Sequence, residues 1–118
     1  MIAHIVLFTP KSDLPVESIR SFELQMGDCF RSIDTIARVS VGRRTAVDAG
    51  YGRYFGEQTY EFAAILEFKD PAGLANYLNH PLHHELGRMF WERCERTVIS
   101  ECEMYDGRDP NLPDLLAD

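Results

Sequence analysis

The stretch Thr59-Tyr60-Glu61-Phe62-Ala63-Ala64-Ile65-Leu66-Glu67-Phe68 decides the fold. It is short, rich in aromatic and branched residues, and runs into Asp70-Pro71, where Asp suits a helix cap and Pro a first helical turn. Read as a strand, it sends Tyr60, Phe62, Ala64, Leu66 and Phe68 to one side and Ala63 and Ile65 to the other. Both sides are apolar. A sheet with helices on one face and water on the other would instead alternate apolar with polar residues.

Working outward, residues 2–8 (Ile-Ala-His-Ile-Val-Leu-Phe) form a second apolar run, ended by Thr9-Pro10. Here Ile2, Val6 and Phe8 oppose Ile5 and Leu7. Ser12-Asp13 and Pro15 mark a helix start, after which Ile19, Phe22, Met26, Cys29, Phe30 and Ile33 trace one apolar stripe at helical spacing. Residues 36–42 read as a loosely alternating strand. Asp48 to Gln58 holds Gly50, Gly52 and Gly56 and reads as a long loop; its Tyr51, Tyr54 and Phe55 either lid a pocket or pack down on the surface. After Asp70-Pro71 a helix passes through Leu74, Tyr77 and Leu78 and breaks at Asn79-His80-Pro81, because proline lacks the helical donor. A second helical piece follows through Leu86, Met89, Phe90 and Trp91, and residues 96–105 form the last strand.

The order is strand, helix, strand, strand, helix, strand. This predicts an α+β domain of the ferredoxin-like, split βαβ type (βαββαβ), with four antiparallel strands and both helices on one face. The uncovered face still carries large apolar groups, each costing about 1.5–3 kcal/mol to leave in water. A second copy of the chain would cover it, two sheets making a shared, dimeric α/β barrel. The competing arrangement, in which the long loop and the tail blanket that face, has few apolar residues to work with.

The 118 residues suffice for one domain, placed at 1–105, followed by an acidic tail at 106–118 that lies loose or packs through Leu112, Leu115 and Leu116. The net charge of −7, with scattered arginines, argues against nucleic-acid binding, which needs a concentrated basic face. No stretch approaches the ~20 apolar residues of a membrane span, and the N-terminus lacks a signal-peptide pattern. Cys29, Cys94 and Cys102 are odd in number and form no CxxC pair, so reduced thiols and a cytoplasmic location are expected.

Three of the four histidines lie in Tyr77-Leu78-Asn79-His80-Pro81-Leu82-His83-His84; the fourth, His4, sits mid-strand among apolar residues. Histidine serves as acid and base near neutral pH, and a tyrosine can hold a developing oxyanion. Across the proline break, Tyr77 and His83 can both face one cavity between helix and sheet. A structural account stands beside this: His80 caps the broken helix, His83 bonds a backbone carbonyl, and His4 is a satisfied core residue. Adjacent histidines rarely share one ion and no carboxylate sits at a matching step, so neither a metal nor another cofactor is expected.

The segment His4-Ile5-Val6-Leu7-Phe8, the strand Glu61–Phe68 running into Asp70, and Tyr77-Leu78-Asn79-His80-Pro81-Leu82-His83 together resemble the stress-responsive dimeric α/β-barrel (Dabb) domain family. The resemblance covers about residues 1 to 105 and implies a ferredoxin-like fold and a homodimeric barrel. Most members have no assigned reaction. One branch, similar to plant polyketide cyclases, implies Tyr77 and His83 as a catalytic pair, with His4, Phe62 and His80 as substrate-binding candidates. That branch carries a histidine in the third strand where Phe62 stands, and its loop is shorter than 48–58 here. Three readings result: a homodimeric barrel with a small apolar pocket per subunit and no assigned reaction, acting in stress response or binding a small molecule; a cofactor-independent lyase or cyclase acting on a polyketide-like carbonyl substrate; and a purely structural assembly module.

Overall fold

The computed structural model describes residues 1–56 and 58–112. In chain order it contains β1 (Ile2–Pro10), α1 (Val16–Ser32), β2 (Ile36–Arg43), α2 (Gly52–Phe55), β3 (Phe62–Phe68), α3 (Pro71–Leu78), α4 (Pro81–Arg93) and β4 (Cys94–Glu103). The expected βαββαβ order holds, with α3 and α4 as the two halves of the second helical unit. The strands form one antiparallel sheet in the order β2-β3-β1-β4. The central strands are therefore the two most apolar ones, and the edges fall to β2 and β4.

Register follows from the alternation of side chains. Phe8 pairs with Phe62, Val6 with Ala64, His4 with Leu66 and Ile2 with Phe68. Directly paired residues point to the same side. This side meets the helices: Val6, Phe8, Ala64, Leu66 and Phe68 join Phe22, Cys29 and Ile33 of the α1 segment, Tyr77 of α3, and Leu86 and Met89 of α4 in one buried core. Phe8, Phe22, Phe62 and Phe90 form an aromatic cluster at one end, with Phe90 standing edge-on to both Phe8 and Phe22 at 4.9 Å between ring centres. On the opposite side Ile5 pairs with Ile65, and Leu7 with Ala63 and Val98. Ile65 and Val98 remain 43% and 44% exposed, so among the described residues neither loop nor tail covers this face.

The structure moves several expected boundaries. β3 starts at Phe62 rather than Thr59, because the Glu61 N–H donates to the Thr9 hydroxyl (3.1 Å) instead of continuing the ladder. β4 starts at Cys94 because α4 runs into it without a loop. The Gly-rich segment is not wholly irregular: Gly52–Phe55 make one helical turn, which ends at Gly56 with φ +81°. Its aromatics do not pack down on the body of the chain: Tyr51, Tyr54 and Phe55 are 69–78% exposed, and Tyr51 lines an open concavity made by the segment's own residues. In the tail Leu112 is exposed, while Leu115 and Leu116 lie outside the described residues.

Asp70 does what its position before Pro71 requires. Its carboxylate accepts the Gly73 N–H at 2.8 Å, satisfying a donor at the start of α3 that has no helical partner. Asp70→Ala should therefore lower unfolding free energy by about 1 kcal/mol in urea titration. A change below a few tenths would mean that the cap adds nothing to the fold.

Candidate functional site

The proline break builds the site. Pro81 has no N–H, and the Leu82 N–H that would reach back to Leu78 is taken by His80 Nδ1 at 3.1 Å. The Leu78 carbonyl is thus free to accept from His83 Nδ1, at 3.1 Å. A carbonyl can only accept, so this bond places the His83 proton on Nδ1 and leaves Nε2 with a lone pair. His83 shares one face of α4 with Leu86, Gly87 and Phe90, and this face meets the sheet beside Tyr77.

Between this helix face and the sheet lies a cavity of about 140 Å³. His4, Tyr77 and His83 line it, and its walls are otherwise apolar, including Val6, Leu66 and Leu86. Ring centres lie 4.6 Å apart for Tyr77 and His83, 5.6 Å for His4 and Tyr77, and 6.5 Å for His4 and His83. His4 is only 3% exposed. Its Nδ1 meets Glu101 Oε1 at 3.0 Å across the β1–β4 pair, which again leaves Nε2 as the unprotonated nitrogen.

The surroundings set the protonation states. Burial lowers the pKa of His4 below its ordinary 6.5, against an opposing pull from Glu101. Burial likewise lowers His83, opposed by its bond to Leu78 and reinforced by the charges of His4 and His84. Burial raises Tyr77, and the neighbouring Cys29 thiol raises it further through its charge and hydrogen bond. The site is therefore two neutral imidazoles around a phenol that keeps its proton. This combination can accept a proton from a bound molecule and hydrogen-bond an oxygen on it.

The structure thus brings together Tyr77, His83 and His4. It does not bring Phe62 or His80 to them. Phe62 stacks on Phe8 at 5.5 Å between ring centres, and His80 caps α4. Neither lines the cavity. The sequence pattern singles out neither Glu101 nor Cys29. Glu101 carried no signal without the β1–β4 register, and Cys29 read as one more residue of the α1 stripe. Among the described residues no group of three or more His, Cys, Asp or Glu is arranged to hold a metal. No described helix is long and apolar enough to cross a membrane.

The profile described as "Stress responsive A/B Barrel Domain" matches residues 2–104. The chain belongs to the stress responsive A/B barrel domain (Dabb) family. No curated protein matches it significantly. Among solved structures, this Dabb chain is similar to a protein of Arabidopsis thaliana at TM-score 0.72 and 16% identity, over 90% of this chain and 97% of that one. It is similar to the hydroxynitrile lyase of Passiflora edulis at TM-score 0.71 and 20% identity, over 89% and 94% of the two chains. A third similar structure is a dimeric ferredoxin-like protein of unknown function from Thermobifida fusca, at TM-score 0.67 and 17% identity over 87% and 90%. At these identities the likeness establishes the fold of the Dabb chain and leaves its chemistry to its own residues.

The histidines make stability depend on pH. Both hold folded-state pKa values below the 6.5 of an unfolded chain, so the unfolded chain binds more protons as pH falls. Their contribution is fully present above about pH 6.5 and is lost as pH drops from there toward the folded values. Urea unfolding should show a plateau above about pH 7.5 and a decline below about 6.5, shallower in His83→Gln. An unchanged slope in that variant would show that His83 does not titrate differently on folding.

Proposed function

We propose that this Dabb domain works as a homodimer, its two sheets facing each other to form a barrel, and that each subunit binds a small, largely apolar molecule beside Tyr77 and His83. The observation that carries the reading is the apolar cavity whose polar groups, His4, Tyr77 and His83, converge from β1, α3 and α4. Such a cavity accommodates apolar substituents and orients one oxygen function by hydrogen bonding. The uncovered sheet face, centred on Ile5, Leu7, Ile65 and Val98, supports the dimer.

Charge favours one arrangement of the two copies. β2 carries Arg38 and Arg43 and no acid, whereas β4 carries Glu95, Glu101 and Glu103 against Arg96. Setting β2 of one copy beside β4 of the other pairs unlike charges and closes both open edges. Setting like edges together would oppose arginines to arginines and glutamates to glutamates. The favoured arrangement has its twofold axis along the strands. The unpaired cysteines Cys29, Cys94 and Cys102 support a reducing, cytoplasmic setting.

Sedimentation equilibrium tests the dimer. The wild type should have twice the chain mass at micromolar concentration. Ile65→Asp should weaken association by at least about 100-fold, since it buries an unpaired charge in an apolar interface. A monomeric wild type would end this reading.

A second reading is favoured by the free Nε2 positions: a cofactor-independent lyase or cyclase acting on a carbonyl-type substrate, such as a polyketide-like chain. His83 Nε2 would take a proton from the substrate, and the Tyr77 hydroxyl would hydrogen-bond the oxygen on which charge develops. A cyanohydrin such as mandelonitrile is a direct probe, since loss of its hydroxyl proton releases cyanide and leaves benzaldehyde. The expected outcome is release above the uncatalysed rate, lowered about 10²–10⁴-fold in His83→Ala. Equal rates for both proteins would remove His83 from this chemistry.

A further inference from the structure

Among the described residues, two features lack a partner within the chain. The first is the arm joining β2 to β3. It is ordered from within: the Gly50 N–H donates to Asp48 Oδ1 at 3.0 Å, and the Phe55 N–H donates to the Tyr51 carbonyl at 2.9 Å. Yet Val47, Tyr51, Tyr54 and Phe55 are 69–78% exposed. An ordered turn that presents four large apolar groups to water is unusual for a monomer. The second is an open groove of about 530 Å³ between α4 and the start of β4, lined by Gly87, Phe90, Trp91, Cys94, Thr97 and Ile99 among others. Trp91, the single tryptophan, is 87% exposed. Gly87, Phe90 and Ile99 line both this groove and the His4–Tyr77–His83 cavity, so the two adjoin.

We propose that in the homodimer the aromatic tip of one subunit's arm seats in the Trp91 groove of the other and covers the adjoining cavity on that side. The proposal rests on the dimer described above. Arg43 at the end of β2 pairs with Phe62, which pairs with Phe8, which pairs with Thr97 near the start of β4. The arm and the groove therefore lie at the same end of the sheet, on opposite edges. A twofold axis along the strands exchanges the edges and keeps the ends, so the arm of one copy emerges beside the groove of the other. Packed sheets lie about 10 Å apart, a gap that the chain between Arg43 and Gly52, at up to about 3.3 Å per residue, is long enough to span. A twofold across the strands would carry the arm to the far end. The Cα radius of gyration, 16.2 Å against about 13.5 Å for an average domain of this length, agrees with segments held off the body of one subunit. In this assembly the binding site of each subunit is incomplete without the partner.

Trp91 reports directly on the contact. Acrylamide, a neutral quencher, is applied to the wild type and to Tyr54→Ser/Phe55→Ser, with the mass of each measured alongside. Both substituted residues are exposed within the chain, so its fold does not depend on them. A wild-type dimer with tryptophan quenched several-fold less than free N-acetyltryptophanamide, rising to near the free value in the double variant, is the expected result. A dimer with freely quenched Trp91 overturns the arm contact and leaves the dimer standing. Shielding that survives in the double variant overturns it too, because something else then covers the groove. A monomeric wild type overturns the dimer, and the arm contact with it.

Discussion

The structure depends on β1 being held between β3 and β4. Antiparallel pairing on both edges satisfies the backbone of this apolar strand and fixes which of its side chains faces the helices. Because both neighbours are in register with it, one alternation runs across three strands. His4, Val6 and Phe8 go to the core together with Leu66, Ala64 and Phe62, and Ile5 and Leu7 go to the other side with Ile65 and Ala63. The core, the cavity and the uncovered apolar face are consequences of that single parity.

The broken helix is the second determinant, and it acts locally. A proline at position 81 has no N–H for the Tyr77 carbonyl, which accepts from the His80 N–H instead, and the groups of the next rung are reused at once: His80 takes the Leu82 donor and His83 takes up the Leu78 acceptor. The structural and chemical accounts of these histidines are therefore compatible. The same bond that satisfies the backbone fixes the tautomer of His83 and turns its basic nitrogen loose. His4 follows the same logic with a side-chain partner, Glu101, on the neighbouring strand.

The parts legible in the sequence were those governed by local period or local chemistry. Alternation in 62–68 and 2–8 revealed two apolar faces, Asp70-Pro71 marked a cap, and Asn79-His80-Pro81 marked the break that brings Tyr77 and His83 together. What escaped was whatever depended on register between distant segments. Phe62 shares a face with His4, yet pairing sets it opposite Phe8, about 13 Å along the strand from His4. Glu101 meets His4 only because β4 returns beside β1 with that alignment. Cys29 reaches Tyr77 through the rotation of α1 about its own axis, which an apolar stripe does not specify finely enough to name one contact. The turn at Gly52–Phe55 was hidden by its glycines, which suit irregular backbone as well as they end a helix.

The His4–Glu101 bond gives the edge strand a say in the cavity's acid–base character. Among the described residues β4 pairs only with β1, and its alignment shifts at Thr9/Pro10, beside the point where α4 feeds into it. Sliding β4 by one residue would turn Glu101 to the far side of the sheet and offer His4 a serine or a cysteine site in its place. The imidazole would then lose its anionic anchor, and nothing would dictate which ring nitrogen carries the hydrogen. Anything that grips or loosens this outermost strand, including a neighbouring subunit, thereby acts as a tuning screw on a base buried one strand inward.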